Sequence, residues 1–291
     1  MHREIKQNQL LLSQLYERNR SCVGFIDESY REGFSHDEFP FYTVTATVIA
    51  AEKLTELRAD YVQNVGSWWH TTEMYSQKKT LEISDFIKLV ASHEMQVVIA
   101  VQVQIENNDI EHARRECLVQ VVAKLAQGGC NLVVYERRED NRSKNADTSL
   151  FARAKAAGYV DRDLRLFAGH PAAEPLLWGP DLIGWALRRH LAVSDSQWIF
   201  PLLTRLEIID ASANTTLKAK GPQPAAAKGS GPDSFVGLNG EGKNRSSEIS
   251  MPRFGDKENN LFAIFSSISQ PLHQPEMLSS WLRSQYPNRR S

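Results

Sequence analysis

The chain has 291 residues, and 42% of them are hydrophobic, which is enough apolar side chain to build a substantial core. Its net charge is −1, so it lacks the overall basic excess of proteins that bind nucleic acid non-specifically. The charge is uneven, because residues 1–210 carry 24 Lys and Arg against 29 Asp and Glu, whereas residues 211–291 carry 10 against 6. A basic tail could therefore still hold an acidic domain on nucleic acid.

The cysteines and the hydropathy pattern argue against a cysteine metal site, a membrane span and a signal peptide. The three cysteines, Cys22, Cys117 and Cys130, have no metal-binding spacing, and the usual interpretation of Cys22 and Cys130 beside apolar runs is a small buried thiol. No apolar run reaches the ~18 residues of a membrane span. The polar, Gln-rich start is unlike a signal peptide. These features predict a cytoplasmic protein without a membrane partner.

In chain order, the pattern predicts a short helix within residues 1–20 and then a strand at 23–27, where an apolar run ends abruptly in acids. The β-branched run at 41–50 predicts a second strand, antiparallel to the first because it follows closely in sequence. The remaining apolar patterns predict helices at residues 51–65, 76–93, 110–127, 148–157 and 175–191, and strands at residues 95–103, 132–135 and 164–167. Residues 141–147 are predicted to be a polar loop.

This alternation of strands and helices predicts an α/β domain over residues 1–210, with one mixed sheet and the first strand in its middle. The composition changes after residue 210, and residues 218–255 contain seven Gly and four Pro. Such a stretch cannot bury enough surface to offset its ordering entropy, so residues 211–291 are predicted to be a low-complexity linker and flexible tail. Apolar residues at its end, including Phe262 and Trp281, are compatible with a short C-terminal helix that docks a protein partner.

The first candidate site residue is Asp27, at the end of the first predicted strand. A carboxylate there is rigidly aimed and suits a central metal ligand. The alternative makes Asp27 and Ser29 turn residues between two strands. Glu28 is expected on the opposite face of the sheet, since side chains alternate along a strand, so Asp27 is the better ligand.

A second acid, Glu73, lies between two predicted helical segments and could also hold a metal. The alternative places it in the first turn of a helix that Thr71 or Thr72 caps. His70 precedes Glu73 by three residues, which is not the zinc-protease spacing, and a packed or capping role is the favoured interpretation.

Two further groups of acids complete the set. Glu136, Glu139 and Asp140 follow the fourth predicted strand, and one of them could complete the site, with Glu136 the first candidate among the three. The alternative is a solvated, charged loop. Asp181 heads an otherwise apolar helix, where burial would be costly without a partner or a metal, although the first turn of a helix also favours an acid. The pair Arg188 and Arg189 near the end of that helix suits the helix dipole or, alternatively, a phosphate.

Two motifs together resemble a known family. The strand with its acids at residues 25–29 (FIDES), followed by the strand at 41–50, is similar to the opening of bacterial proteins grouped as domain of unknown function 3800. The helix around Asp181, with Leu182-Ile183-Gly184 after it, resembles the closing motif of that family. The resemblance spans roughly residues 20–192. It implies a ribonuclease-H-like fold whose carboxylates on the first strand, a following helix and a late helix hold two Mg²⁺ or Mn²⁺ ions.

Two hypotheses follow. In the first, the chain is a metal-dependent nuclease in which Asp27, Glu73, Glu136 and Asp181 hold Mg²⁺ or Mn²⁺ for hydrolysis of a phosphodiester. In the second, it is a non-catalytic ribonuclease-H-like module that binds nucleic acid or protein through its tail. A hydrolase of another fold has no supporting sequence motif. The two hypotheses differ in whether the acids converge in space.

Overall fold

The structure is a computed structural model that describes residues 2–32, 40–103, 105, 107, 109–138 and 141–211. Six strands in this part of the chain form a single sheet. The strands are β1 (Val23–Arg31), β2 (Phe41–Ile49), β3 (Gln96–Val103), β4 (Leu132–Glu136), β5 (Arg165–Gly169) and β6 (Leu206–Asp210). The helices are α1 (His2–Arg18), α2 (Leu54–Val65), α3 (Thr71–Ser76), α4 (Thr80–Ser92), α5 (Ile110–Gln127), α6 (Asn141–Ala156) and α7 (Trp178–Val193). The predicted tail from residue 212 onward, with its predicted helix, lies outside the described residues.

The sheet is mixed, with the strand order β5-β4-β1-β2-β3-β6. Strands β1, β2 and β3 form an antiparallel meander, while β4 pairs parallel with β1, and β5 pairs parallel with β4. The predicted fold class, an α/β domain with a mixed sheet flanked by helices, is confirmed, as are the β1–β2 hairpin and the interior position of β1. The strand β6 was not predicted, and it extends the sheet by pairing parallel with β3.

Three local predictions are wrong. Strand β1 continues to Arg31, so Asp27 and Ser29 are strand residues and not turn residues. The predicted loop at residues 141–147 is the first half of α6. The single helix predicted at 76–93 begins only at Thr80, after the separate short helix α3. Among the described helices, none has the length and apolar character needed to cross a membrane.

The two faces of the sheet are covered by different helices, α7 on one face and α5 on the other. On the α7 side, a Cβ added to Gly184 would lie 3.2 Å from Thr45 Oγ1, and one added to Gly179 would lie 3.0 Å from the hydroxyl oxygen of Tyr61 on α2. Gly184 therefore lets the backbone of α7 approach β2 closely, and Gly179 lets it approach α2. The contact with β2 fixes the height of α7 above the strands that it covers.

On the α5 side, a buried guanidinium binds the end of β1. Arg114 on α5 donates to both carboxylate oxygens of Glu28 at 2.8 Å and to Asp147 Oδ1 on α6 at 2.6 Å. Tyr42 also donates its hydroxyl to Glu28. Because Glu28 lies on this face, its neighbour Asp27 faces α7, which confirms the predicted alternation.

A second buried carboxylate, Glu174, connects three segments ahead of α7. Glu174 is 1% exposed, and it accepts two hydrogen bonds from the guanidinium of Arg58 on α2, at 2.8 and 3.1 Å. It also accepts from the Tyr16 hydroxyl on α1 at 2.6 Å and from the backbone N–H of Leu176 at 3.1 Å. Glu174 therefore fixes the segment that precedes α7 to both α1 and α2.

We expect Glu174→Gln to lower the free energy of unfolding by about 1–3 kcal/mol, because hydrogen bonds to a charged group at a buried site are lost. Urea unfolding followed by circular dichroism measures this change. The matched control is Glu56→Gln, which breaks the exposed Lys53–Glu56 pair and should leave the free energy of unfolding nearly unchanged. Equal losses for the two variants would contradict the role given to Glu174.

Candidate functional site

A cavity of about 680 Å³ opens beside the second half of β1 and the end of β4. These two strands are parallel, and Ile26 pairs with Tyr135, so the next residues along them, Asp27 and Glu136, lie side by side. Both side chains line the cavity, together with Asp181 from the first turn of α7. Three of the four predicted ligands, from three separate elements, are thus brought to one place.

The carboxyl groups of Asp27 and Glu136 lie close enough that hydrogen bonding with Asp27 acts on the pKa of Glu136. Burial raises the pKa of Asp27 well above its ordinary value, and the negative charges of Glu136 and Asp181 raise it further. Burial also raises the pKa of Glu136, although the hydrogen bond with Asp27 partly offsets this. Both acids therefore retain their protons to higher pH than they would in water.

The third acid is held from the opposite side of the cavity. Thr71, the first residue of α3, donates its backbone N–H and its hydroxyl to Asp181 Oδ2, at 2.8 and 2.7 Å. The Thr71 hydroxyl in turn accepts from Trp69 Nε1 at 2.8 Å, which fixes its orientation. Burial raises the pKa of Asp181, while the bonds from Thr71 and the nearby His70 act in the opposite direction. Sequence reasoning did not identify Thr71 as the residue that holds Asp181.

His70 both caps α3 and lines the cavity. Its Nδ1 accepts from the backbone N–H of Glu73 at 3.4 Å, which confirms the predicted capping role and places the cap at His70, not at Thr71 or Thr72. The same side chain lies near Glu136 and Asp181 and lowers the pKa of both. His70 is therefore part of the candidate site as well as a cap.

Glu73, the fourth predicted ligand, does not line the cavity with the other three. It lies in the first turn of the short helix α3, where its carboxylate accepts from Gln77 Nε2 at 3.1 Å and from Trp68 Nε1 at 3.5 Å. Its role as a metal ligand stays a prediction. Of the strand-four acids, Glu136 is the one at the cavity, and Glu139 and Asp140 lie outside the described residues.

The donor set can be compared with what a divalent cation requires. Mg²⁺ and Mn²⁺ prefer carboxylate oxygens, and Asp27, Glu136 and Asp181 present such oxygens in one half-buried place. As they stand, no three His, Cys, Asp or Glu side chains within the described ranges are arranged to hold a metal ion. Because the pKa values of Asp27 and Glu136 are raised, a cation would have to compete with protons for their oxygens. The chemistry of the three acids therefore suits such an ion.

Comparisons with known proteins give fold-level similarities only. No protein-family model and no curated protein matches the chain. Among solved structures, it is similar to Bst-RNase HIII in complex with Mn²⁺, with a TM-score of 0.35 and 11% identity over 64% of this chain and 55% of that one. It is also similar to ribonuclease H2 from Pyrococcus horikoshii, with a TM-score of 0.32 and 12% identity over 62% of this chain and 78% of that one. The chain thus spans little more than half of the first of these proteins.

Proposed function

We propose that this chain is a metal-dependent nuclease that hydrolyses phosphodiester bonds at the Asp27–Glu136–Asp181 site. One observation carries the proposal: three acids from β1, β4 and α7 lie at a single cavity although their charges repel one another. Repulsion among these carboxylates lowers the stability of the folded protein, and acids brought together in this way are typical of functional sites. Bound cations are what relieve that repulsion.

In this proposal, Asp27, Glu136 and Asp181 hold Mg²⁺ or Mn²⁺, with Asp27 in the central position between the other two. The ions, when bound, supply a Lewis acid for the phosphate and an activated water. The chain itself supplies the rigid placement: the β1–β4 pairing holds Asp27 against Glu136, and Thr71 holds Asp181. His70 lies close enough to these acids to move a proton at the edge of the site.

The charge of the cavity supports a dependence on cations. Its lining includes five acids against two arginines, so a phosphodiester would be repelled unless metal ions compensated the excess. Of the two arginines near the end of α7, Arg189 is bound to Asp195 at 2.7 Å and lies over the ring of Tyr75. Arg188 instead lines the cavity, and we assign it to a phosphate of the substrate.

The same proposal places the chain with the bacterial proteins of domain of unknown function 3800, from the motifs at residues 25–29 and around Asp181. Nucleic acid is then the substrate, and the basic excess of residues 211–291 would help to hold it. A cytoplasmic location is part of this proposal.

The second candidate function is a non-catalytic ribonuclease-H-like module that binds a partner through its tail. One observation favours it: within the described residues, the acids are not arranged to hold a metal ion as they stand. In that case the cavity would keep its protonated acids whether or not divalent cations were present.

Thermal melting and nuclease assays of the full chain separate the two functions. If the site binds Mn²⁺, a concentration tenfold above the dissociation constant should stabilise the protein by about 1.4 kcal/mol. For a domain of this size, that corresponds to a rise of roughly 3–6 °C in melting temperature. Labelled single- and double-stranded DNA and RNA should be cut with Mn²⁺ or Mg²⁺ and left intact with a chelator. A protein that neither melts higher nor cuts any substrate would favour the binding module.

A further inference from the structure

Two of the three cysteines lie next to each other at the starts of β1 and β4, whereas Asp27 and Glu136 lie further along the same two strands. Cys22 directly precedes β1, and Cys130 lies two residues before β4. Their sulfur atoms are 2.9 Å apart although 108 positions separate the residues in sequence. Because β1 and β4 are parallel and Val23 pairs with Leu132, the sheet itself brings the two thiols together.

The backbone around the pair is fixed. Cys130 follows a turn at the end of α5, in which Gly129 has a φ of 87°, a conformation that a residue with a side chain rarely adopts. Ser21 donates its hydroxyl to the carbonyl of Gly129 at 2.5 Å, and the thiol of Cys22 contacts the carbonyl of Gly128 at 3.9 Å. These contacts hold the two segments side by side.

The two thiols differ in accessibility. Cys22 is partly exposed, whereas Cys130 is 3% exposed. Burial and the adjacent Cys22 sulfur raise the pKa of Cys130 far above the ordinary value for a thiol. A reagent in solvent therefore meets Cys22 first, with Cys130 in position behind it.

We propose that Cys22 and Cys130 form an oxidisable dithiol, a modification site for two-electron oxidants of the hydroperoxide class. The Cys22 thiolate attacks one oxygen of the hydroperoxide, the O–O bond breaks, and Cys22 becomes a sulfenic acid as water or an alcohol leaves. The Cys130 sulfur then attacks Cys22, a second water leaves with the thiol proton, and a disulfide forms. In total, two thiols are oxidised by two electrons and one hydroperoxide is reduced.

The disulfide would join β1 and β4 at the ends opposite Asp27 and Glu136. It would close a loop of more than a hundred residues, so it restricts the unfolded chain and should raise the melting temperature. This proposal does not depend on the proposed nuclease function, because it uses neither the acids nor a metal.

The test exposes the folded full chain to hydrogen peroxide and counts free thiols. The count should fall from three to one per chain, and the intact mass should fall by two hydrogen atoms. Tryptic digestion should then yield residues 21–31 linked to residues 125–137, and dithiothreitol should release them and restore all three thiols. The melting temperature should rise on oxidation and return on reduction.

Three variants serve as controls. Cys117→Ala should leave the linkage intact, because Cys117 is buried on α5, where its thiol donates to the Tyr42 carbonyl. Cys22→Ser and Cys130→Ser should each abolish the linkage. The proposal is overturned if the wild type keeps three thiols, if the linkage involves Cys117 or a second chain, or if Cys22 is over-oxidised to a sulfinic acid without linking to Cys130.

Discussion

Asp27→Asn is expected to lower metal-dependent nuclease activity by about 10³-fold, since a bound metal supplies several kcal/mol of transition-state stabilisation and each 1.36 kcal/mol is tenfold in rate. The amide keeps the shape of the side chain but removes the charge that interacts with Glu136 and Asp181. The measurement is the initial rate of cleavage at saturating Mn²⁺. The variant should also lose the Mn²⁺-induced rise in melting temperature.

The same substitution should stabilise the metal-free protein at neutral pH. In the folded protein the pKa of Asp27 lies above its ordinary value, so the folded state keeps this proton to higher pH than the unfolded state does. That contribution to stability is complete below the unfolded pKa of about 4 and is lost as the pH rises through the folded value. The stability advantage of Asp27→Asn over the wild type should therefore grow with pH, which urea unfolding at several pH values measures.

Two further variants make this result specific. Asp85→Asn removes an exposed acid of α4 that pairs with Lys88, and it should match the wild type in activity and metal response. Glu73→Gln tests the remaining sequence-predicted ligand, and we expect it to retain activity because its carboxylate is bound to Gln77 outside the cavity. An unchanged response of Asp27→Asn to Mn²⁺ would remove Asp27 from the site and would favour the binding module.

Arg114→Met is expected to lower the free energy of unfolding by about 3–5 kcal/mol, because it leaves buried charges without their partner. Asp147 is 2% exposed and would lose its 2.6 Å bond, while Glu28 would lose both bonds that anchor the end of β1. Urea unfolding measures the loss. On the same helix, Arg115→Met is the matched control, and it should change the stability by no more than about 0.5 kcal/mol.

Removing the orphaned charges should reverse much of that loss. In the Arg114→Met background, the added changes Glu28→Gln and Asp147→Asn leave no unpaired carboxylate, so the triple variant should be more stable than Arg114→Met alone. A loss below about 1 kcal/mol for Arg114→Met would mean that water reaches Glu28 and Asp147 and that the guanidinium does not anchor β1.

Much of the sheet could be predicted from the sequence, because β1 to β4 are strong apolar runs whose side chains pack on both faces. The strand β6 was missed because it is five residues long, is only partly buried and pairs with β3 across more than a hundred positions. The start of α6 was missed for a different reason. Its polar residues resemble a loop, and its place is set by tertiary contacts, among them the bond between Asp147 and Arg114 and the burial of Phe151.

The site was partly predictable for related reasons. An acid at the end of an apolar strand or at the head of an apolar helix stands out in a sequence, and Asp27, Glu136 and Asp181 were identified in this way. Thr71 and His70 carry no such signal, because a threonine and a histidine at the start of a helix have the same pattern whether they cap it or face a cavity. Their part in the site depends on a long-range contact with Asp181.

The close contact of Gly184 with Thr45 means that the distance between Asp181 and the strands is set by packing and not by charge. A descendant of this chain that exchanged its acids for neutral residues would keep the cavity, and it would gain stability as the repulsion disappeared. Loss of the acids in such a lineage would therefore leave the fold and the cavity unchanged. Enzymes and inactive binding proteins could share this scaffold through drift alone, and only the identities of a few acids would distinguish them.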